Sequence, residues 1–322
     1  MSASGSSAST AGSSTSGAIG IGSGAIGNGG SAIGNGSSAI GNGSSAIGNG
    51  SSAIGNGSSA VGNGGGGPKA STSPLGVPTN RNQGLLIGVG VGPGDPELMT
   101  LKAVRALENA NVVAHFAKAG NPSNARATAA RYLKSGTREI QLLYPVTTEH
   151  PTSEAAYRTA IDRFFDDSAA QLAQDLEAGK TVAVLSEGDP LFFGSYMHIH
   201  IRLMSRFRTE VIPGVTAMSG CWSAAGLPIV QGDDVLTVLP GTLDQKTLIQ
   251  RLEKNEPTVI MKLGRNLPKV RRALIESGRL EQAIYVERGT MHNERLMPLP
   301  EKTDDSAPYF AIVLVTNRWW QT

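Results

Sequence analysis

The sequence predicts an α/β protein of two lobes behind a low-complexity amino-terminal tail. Strand-like apolar runs alternate with helical runs from residue 84 onward, glycine-rich turns follow two of the strand-like runs, and the composition changes near residues 227–233. Strands separated by helices imply parallel pairing and right-handed crossovers. We therefore expect a tail over 1–83, a first α/β lobe over 84–230, a second over 231–322, and a ligand cleft between the lobes at the carboxyl ends of strands.

The tail is a repeat of about seven residues, SAIGNGS, and holds 23 of the 41 glycines. A coiled coil needs two apolar seam positions and good helix formers. Glycine instead costs about 1 kcal/mol per residue in a helix relative to alanine. We predict a disordered tail. The alternative is a glycine-rich β-solenoid or self-associating segment, in which regularly spaced isoleucines stack.

The charge of the chain argues against a nucleic-acid partner. The tail carries only Lys69 and Arg81 as charged side chains, and subtracting these two from the 28 basic residues leaves 26 basic and 26 acidic side chains in the remainder. Binding to nucleic acid depends on neutralising phosphates, which a neutral core does not favour.

The cysteine count and the terminus predict a soluble cytoplasmic protein. A single cysteine, Cys221, excludes an intrachain disulfide and a multi-cysteine metal site, and we interpret it as a small packing residue. No apolar run is long enough to span a bilayer, and MSASGSSAST lacks the features of a secretory signal. We expect no membrane partner and no metal.

Two glycine-rich turns carry aspartates, in GVGPGDPELMT (Gly90–Thr100) and in SEGDPLFFGS (Ser186–Ser195). Neither turn has the Lys-Ser/Thr pair of a phosphate loop, and the first does not complete GxGxxG. A carboxylate beside a pyrophosphate is unfavourable in a low-dielectric cleft. A zwitterionic or cationic ligand removes the objection, and S-adenosylmethionine carries a carboxylate, an amine and a sulfonium. We interpret Asp95 as a helix cap and Asp189, beside Phe192 and Phe193, as a residue near the ligand.

Three stretches carry a resemblance to a known family: GVGPGDPELMTLKA, SEGDPLFFGS and EVIPGVTAMSGCWSAAGLP. They resemble the tetrapyrrole methyltransferases, the S-adenosylmethionine-dependent enzymes of the cobalamin and sirohaem routes, and the resemblance covers the chain from about Gly84 onward. It implies the two-lobed tetrapyrrole methylase fold with the cofactor cleft between the lobes, S-adenosylmethionine as cofactor, a tetrapyrrole substrate and a homodimer. One branch of the family is resembled more closely, through AKAGNPSNARATA, YPVTTEHP, GDDVLTVLPGTL, VIMKLGRNLPKVRRAL and IYVERGTMHNERLMPL.

The resemblance also implies a set of cofactor-contacting residues. Matched to the family's motifs, these are Pro93, Glu187, Gly188, Asp189, Thr216, Ala217, Leu263, Gly289 and Thr290. Glu187 departs from the pattern, because many relatives carry glycine there. An extra carboxylate at this position faces either the sulfonium or the substrate, and the two alternatives stay open.

The family's substrate is a polyanion with acetate and propionate arms, so cations are candidate partners. The substrate-binding candidates are Lys118, Arg126, Lys262 and Arg265, followed by Arg131, Lys269, Arg271 and Arg272. Methyl transfer from a sulfonium to an electron-rich bridge carbon needs no covalent enzyme intermediate. No catalytic residue is assigned. Glu187, Tyr144, water and the substrate's own carboxylates are the candidate proton acceptors, whereas His198 and His200 are interpreted as structural or surface residues.

Other functions remain possible on the sequence. A sister enzyme of the same family would use a cobalt-containing substrate or uroporphyrinogen III, or methylate another ring position. An RNA or protein methyltransferase of the same fold is a different class, which the neutral core disfavours. A third class is a repeat-driven interaction protein that carries an inactive fold.

Overall fold

The computed structural model describes residues 84–145 and 155–316 and, in the tail, the backbone of seven short strands. The chain divides into two units, Met1–Ser71 and Thr72–Thr322. Most of the motif YPVTTEHP and the last six residues lie outside the described residues.

The seven tail strands form two parallel sheets, β1-β3-β5-β7 and β2-β4-β6. Paired strands lie two repeats apart, as where Ala18 aligns with Ala32. This parallel stacking of strands is the arrangement expected of the β-solenoid alternative. For the rest of the tail, disorder stays a prediction. The strands are β1 (Ala18–Ile21), β2 (Ala25–Asn28), β3 (Ser31–Asn35), β4 (Ser38–Asn42), β5 (Ser45–Gly48), β6 (Ser52–Gly55) and β7 (Ser59–Gly62).

The first lobe contains a five-stranded sheet in the order β10-β9-β11-β8-β12, with parallel pairing throughout. This confirms the expectation drawn from the alternation of strands and helices. The strands are β8 (Leu85–Gly90), β9 (Val112–Lys118), β10 (Arg138–Tyr144), β11 (Thr181–Ser186) and β12 (Arg208–Ile212). The helices are α1 (Leu101–Asn109), α2 (Asn124–Ala129), α3 (Ala155–Glu177), α4 (Tyr196–Leu203) and α5 (Ala217–Ala224).

Helices cover both faces of this sheet, so its central strands are apolar on both sides. Alternate residues of β9 point to opposite faces of the sheet. Val112 and Ala114 join the apolar cluster formed with α3 and α4, and Val113 joins the cluster formed with α1 and α2. All five parallel strands end at the same edge, which therefore collects the turns that follow β8, β11 and β12.

The second lobe contains a mixed sheet in the order β13-β14-β17-β15-β16. Only β13 and β14 pair in parallel, whereas the other three pairings are antiparallel. The expectation of parallel pairing is therefore wrong for three of the four pairings in this lobe. One of them is a hairpin, in which the connection over 288–294 returns the chain from β15 to β16. The elements are β13 (Thr237–Pro240), α6 (Gln245–Leu252), β14 (Thr258–Met261), α7 (Leu267–Glu276), β15 (Ala283–Glu287), β16 (Arg295–Pro298) and β17 (Ala311–Val315).

Helix α5 connects the two lobes, although it precedes the predicted boundary at residue 230. One face of the second sheet packs on α6 and α7. On the other face, Cys221 of α5 joins a cluster with Val259, Val286 and Leu314. No helix in the described part of the chain is long and apolar enough to cross a membrane.

We expect deletion of residues 1–80 to leave the thermal unfolding midpoint of the remaining chain unchanged. The described apolar clusters are built from residues between 85 and 315, so the deletion removes none of their members. Circular dichroism melts of the full and shortened chains provide the comparison. A clearly lower midpoint for the shortened chain would contradict the expectation.

Candidate active site

Three backbone turns meet at the carboxyl edge of the first sheet. Gly92 of the first turn and Gly188 of the second form an antiparallel bridge, in which the N–H of Gly188 donates to the Gly92 carbonyl at 2.8 Å and the N–H of Gly92 donates back at 3.3 Å. Gly214, in the turn after β12, packs against both. A Cβ built on Gly214 would overlap the Gly188 carbonyl oxygen and lie 2.9 Å from the Gly90 Cα.

The Asp189 carboxylate binds backbone groups of this junction. One oxygen accepts from the N–H of Leu191 at 2.9 Å, and the other accepts from the N–H of Gly214 at 3.1 Å. Asp189 thus ties the second turn to the third. Asp95 accepts from the N–H of Glu97 at 2.8 Å as the cap of a short helical turn, which confirms its interpretation as a cap.

The amino end of α5 faces the second turn. Thr216 caps this helix by accepting from the N–H of Ser219 at 3.3 Å. A Cβ built on Gly188 would lie 3.5 Å from the Ala217 nitrogen and 3.7 Å from the Thr216 Cα. Because Gly188 has a positive φ of 61°, a side chain there would strain the backbone as well as narrow this space.

Residues 289–291 of the second lobe contact α5 and the first glycine turn. Gly220 of α5 lies so close to Pro93 and Thr290 that a Cβ on it would be 2.8 Å from the proline ring and 3.1 Å from the Thr290 methyl group. Gly289 packs on Cys221, with 2.7 Å between a Cβ built there and the sulfur. The structure therefore brings predicted residues from both lobes together around α5, Pro93 from the first lobe and Gly289 and Thr290 from the second.

Leu263 differs from the other predicted cofactor residues, since its side chain is fully buried in the apolar core of the second lobe. The whole residue is inaccessible to solvent, and its carbonyl accepts from the N–H of Asn266. The preceding Lys262 is exposed, and its Nζ lies 4.6 Å from the centroid of the Phe193 ring in the first lobe. This cation–π contact joins the two lobes at the cleft.

Unusual backbone conformations concentrate near this cleft. Among the described residues other than glycine, five have positive φ, and four of them follow β11, β14 or β15: Phe193, Lys262, Arg288 and Thr290. Such conformations cost about 1–3 kcal/mol each and cluster at ligand sites.

Two buried hydroxyl groups at the cleft have no hydrogen-bond partner, the Ser186 Oγ and the Thr290 Oγ1. An unpartnered buried polar atom costs about 1–3 kcal/mol, and it commonly marks a place where a ligand or water supplies the bond. Thr290 belongs to the predicted set, whereas Ser186 was missed because it looks like an ordinary strand end. These two hydroxyl groups suit a polar organic ligand. The described residues contain no cluster of metal-ligating side chains.

Glu187, Tyr144 and Tyr309 are titratable groups that interact electrostatically. Burial raises the pKa of Glu187, while hydrogen bonds from its own N–H and from the Ala125 N–H oppose that rise. Burial also raises the pKa of Tyr144, whose hydroxyl bonds to Ser195. Tyr309, in the second lobe, is 77% exposed, and no motif marked it.

The predicted substrate-binding cations fall into different environments. Lys118 ends β9 and Arg265 follows the cleft residue Lys262. Arg126 instead makes a bidentate ion pair with Glu139, at 2.9 and 3.0 Å, beside His115 in an open pocket of about 410 Å³. Of the second group, Arg271 binds Asp305 and nearby carbonyls, and Arg131 lies 3.7 Å from Glu97.

The histidines and the cysteine have structural contacts. His198 stacks on Phe165 with 4.1 Å between the ring centroids, and His200 lies 3.2 Å from the Tyr196 hydroxyl. Burial raises the pKa of the Cys221 thiol to about 12, so it remains protonated near neutral pH. These contacts agree with the packing roles expected from the sequence.

Comparison with known proteins gives a consistent result. The family model of the tetrapyrrole (corrin/porphyrin) methylases matches residues 85–303. The chain is 63% identical over 232 residues to a precorrin-2 C(20)-methyltransferase of Sinorhizobium sp, covering 72% of this chain and 95% of the relative. It is 45% identical to the cobalamin biosynthesis protein CobIJ of Mycobacterium tuberculosis, covering 72% of this chain but 46% of that protein.

A cobalt-precorrin-2 C(20)-methyltransferase of Salmonella typhimurium is 27% identical, over 73% of this chain and 98% of the relative. Among solved structures, the cobalt precorrin-4 methyltransferase CbiF has a TM-score of 0.56 at 20% identity, covering 72% of this chain and 94% of that one. The uroporphyrin-III C-methyltransferase of Thermus thermophilus, complexed with S-adenosyl homocysteine, has a TM-score of 0.50 at 23% identity, covering 72% and 97%. These structural likenesses show a common fold.

We expect Gly214→Ala to destabilise the protein by about 1–3 kcal/mol, as overpacking does in a close-packed site. The added methyl group would meet two other backbones, which leaves no flexible side chain to move aside. Gly226→Ala serves as a comparison for backbone strain without a clash, because Gly226 has a positive φ but open space around it. Urea unfolding of the wild type and both variants checks the prediction. A loss well below about 1 kcal/mol for Gly214→Ala would mean that the junction tolerates the extra atom.

Proposed function

Because the chain belongs to the tetrapyrrole (corrin/porphyrin) methylases, we propose that it transfers a methyl group from S-adenosylmethionine to C(20) of precorrin-2, giving precorrin-3A. It is an S-adenosylmethionine-dependent C-methyltransferase of cobalamin biosynthesis. The observation that carries the choice of substrate is the 63% identity to a precorrin-2 C(20)-methyltransferase across 95% of that enzyme. The enzyme named for the cobalt-containing substrate is 27% identical, so the metal-free substrate is favoured.

The cofactor is held, in this proposal, by the junction of turns and by the second-lobe residues that face it. Pro93, Gly188, Thr216, Ala217 and Thr290 surround one space, and the unpartnered hydroxyl of Thr290 supplies a hydrogen bond to the cofactor. Asp189 acts indirectly, through its bonds to Leu191 and Gly214. Gly289 contributes backbone atoms, and the buried Leu263 supports the site from within the second-lobe core. When bound, S-adenosylmethionine supplies a methyl group on a positively charged sulfur.

The substrate lies over the open side of the cleft, and its carboxylate arms bind Lys262, Arg265 and Lys118. The exposed Lys262 at the boundary between the lobes supports this assignment. Arg126 is a weaker candidate, because a carboxylate arm would have to displace Glu139 from both guanidinium bonds. Correct alignment of two bound reactants is worth about 7–11 kcal/mol, which suits a site without a covalent nucleophile.

Three finer expectations belong to the same proposal. We infer a homodimer from the family resemblance, a cytoplasmic location from the sequence, and no nucleic-acid or membrane partner. The equal numbers of basic and acidic side chains outside the tail support the absence of a nucleic-acid partner.

The substrate assignment predicts a gain of one methyl group by precorrin-2. The purified chain is incubated anaerobically with S-adenosylmethionine and precorrin-2, and the tetrapyrrole is examined by mass spectrometry and NMR. Methylation at C(20) is the expected result, with the cobalt form reacting more slowly in a parallel incubation. Methylation only of the cobalt form, or at another carbon, would contradict the assignment while leaving the family unchanged.

We expect Thr290→Val to weaken cofactor binding without destabilising the free protein. The two side chains have nearly the same shape, so the variant removes only a hydroxyl that is unpartnered in the structure. Loss of one hydrogen bond costs about 0.5–1.5 kcal/mol. This corresponds to roughly a two- to tenfold rise in Kd for S-adenosylmethionine. Calorimetry measures the Kd, and the exposed Thr303→Val is the matched control. An unchanged Kd would show that the Thr290 hydroxyl does not contact the cofactor.

A further inference from the structure

An aromatic ring of the first lobe meets an ammonium group of the second lobe. The Nζ of Lys262 lies 4.6 Å from the centroid of the Phe193 ring. Phe193 belongs to the turn after β11, and Lys262 directly follows β14. The contact therefore joins the ends of two strands that belong to different sheets.

Both residues have backbone conformations that residues other than glycine rarely adopt. Phe193 has a φ of 55° and Lys262 a φ of 57°. For a bulky residue such a conformation is an outlier, and it persists only where the surroundings impose it. Beside Phe193, the N–H of Phe192 donates to the Asp189 carbonyl at 3.3 Å, and the Lys262 carbonyl accepts from the Asn266 side chain at 3.1 Å. The two side chains therefore extend from restrained turns.

The ring of Phe193 contributes little to the apolar cores of the protein. Phe193 is 44% exposed and belongs to none of the four described apolar clusters. Its ring packs on that of Phe192, with 4.9 Å between the centroids and 58° between the planes. A strained, largely exposed aromatic residue at a cleft indicates a role in binding rather than in core packing.

The ammonium group of Lys262 is held without being neutralised. Lys262 is exposed, and no carboxylate within residues 84–145 and 155–316 forms an ion pair with it. By contrast, Arg126 is paired with Glu139 and Arg271 with Asp305. An aromatic ring attracts a cation through its quadrupole but carries no net charge. Lys262 therefore keeps its full positive charge for an anionic ligand.

We propose that Phe193 is a positioning residue for substrate binding, an inference that rests on the proposed function. Its ring holds the Lys262 ammonium at the boundary between the lobes, where the ammonium binds one carboxylate arm of the tetrapyrrole. A lysine side chain has many rotamers, and restricting them in the free protein lowers the entropy that is lost when the ligand binds.

A purely structural contact between the lobes would have different consequences. Loss of the ring would then destabilise the protein and weaken the binding of cofactor and substrate alike. A positioning role instead confines the effect to the substrate and makes that effect depend on the charge of Lys262.

The first test compares Phe193→Leu, which removes the aromatic face, with Phe193→Tyr, which keeps it. A cation–π contact at an exposed site corresponds to about a two- to fivefold change in an equilibrium constant. We expect KM for precorrin-2 to rise by that factor in Phe193→Leu, with the effect on KM rather than on kcat, and to return towards the wild-type value in Phe193→Tyr. An unchanged KM in Phe193→Leu would overturn the proposal. So would a matching rise in the Kd for S-adenosylhomocysteine, measured by calorimetry.

The second test is a double-mutant cycle with Lys262→Met, which removes the charge but keeps a long side chain. Lys262→Met should raise KM more than Phe193→Leu does. Adding Phe193→Leu to Lys262→Met should raise KM no further, because the ring then has no cation to position. Lys134→Met, at an exposed lysine before the amino end of β10, is the matched control and should keep the wild-type KM.

The outcomes separate this inference from the proposed function. Wild-type protein that fails to methylate precorrin-2 contradicts the function itself. If the wild type methylates it and the increases in KM from the two single variants simply add, only the role of Phe193 is wrong. If Phe193→Leu does not fold, Phe193→Met replaces it in the cycle, since methionine is also apolar and has no aromatic face.

Discussion

The cleft depends on a contact between backbones, the bridge that joins Gly92 to Gly188 at the carboxyl edge of the first sheet. Gly214 completes this contact at a separation that leaves no room for a Cβ. Two turns about a hundred residues apart in the chain thereby become one surface. The aspartate of the second turn reinforces it, since charge-assisted bonds to backbone N–H groups are stronger than neutral ones. The surface proposed to face the ligand is therefore built of peptide groups, whose positions the parallel strands behind them determine.

Helix α5 connects this junction of turns to the second lobe. Its small residues allow three approaches on neighbouring turns: Thr216 to the second turn, Gly220 to Pro93 and Thr290, and Cys221 to Gly289. The same helix buries an apolar face against the second sheet. A larger side chain at these positions would separate the lobes and widen the cleft. The run of alanine, serine and glycine in TAMSGCWSAAG thus reflects a packing requirement between the lobes, and the proposed cofactor contacts use the same helix.

The sequence predicted those features that depend on local pattern. Alternating strands and helices indicated the parallel first sheet, and the glycine-rich turns indicated its functional edge. The antiparallel pairings of the second sheet were not predicted, because the turn after β15 has no strong hairpin signal. Asp189 was placed in the right turn, but one of its partners, Gly214, lies 25 residues further along the chain. Arg126 was recognised as a cation, whereas its pairing with Glu139 requires β10 to be aligned beside β9. Tyr309 carries no motif at all.

The aspartates that first distinguished these turns from phosphate loops have a physical explanation in the fold. Asp95 caps the helical turn after the first glycine turn, and Asp189 binds two backbone N–H groups, so each uses its charge within the protein. A pyrophosphate would still meet two fixed carboxylates at this edge, which is costly where the dielectric is low. A sulfonium would meet a favourable field instead. The acidic turns therefore contribute to ligand choice through electrostatics even though neither aspartate needs to touch the ligand. The proposed substrate is a polyanion, and the exposed Lys262 on the opposite lobe offers a positive charge to its carboxylate arms in the same proposal.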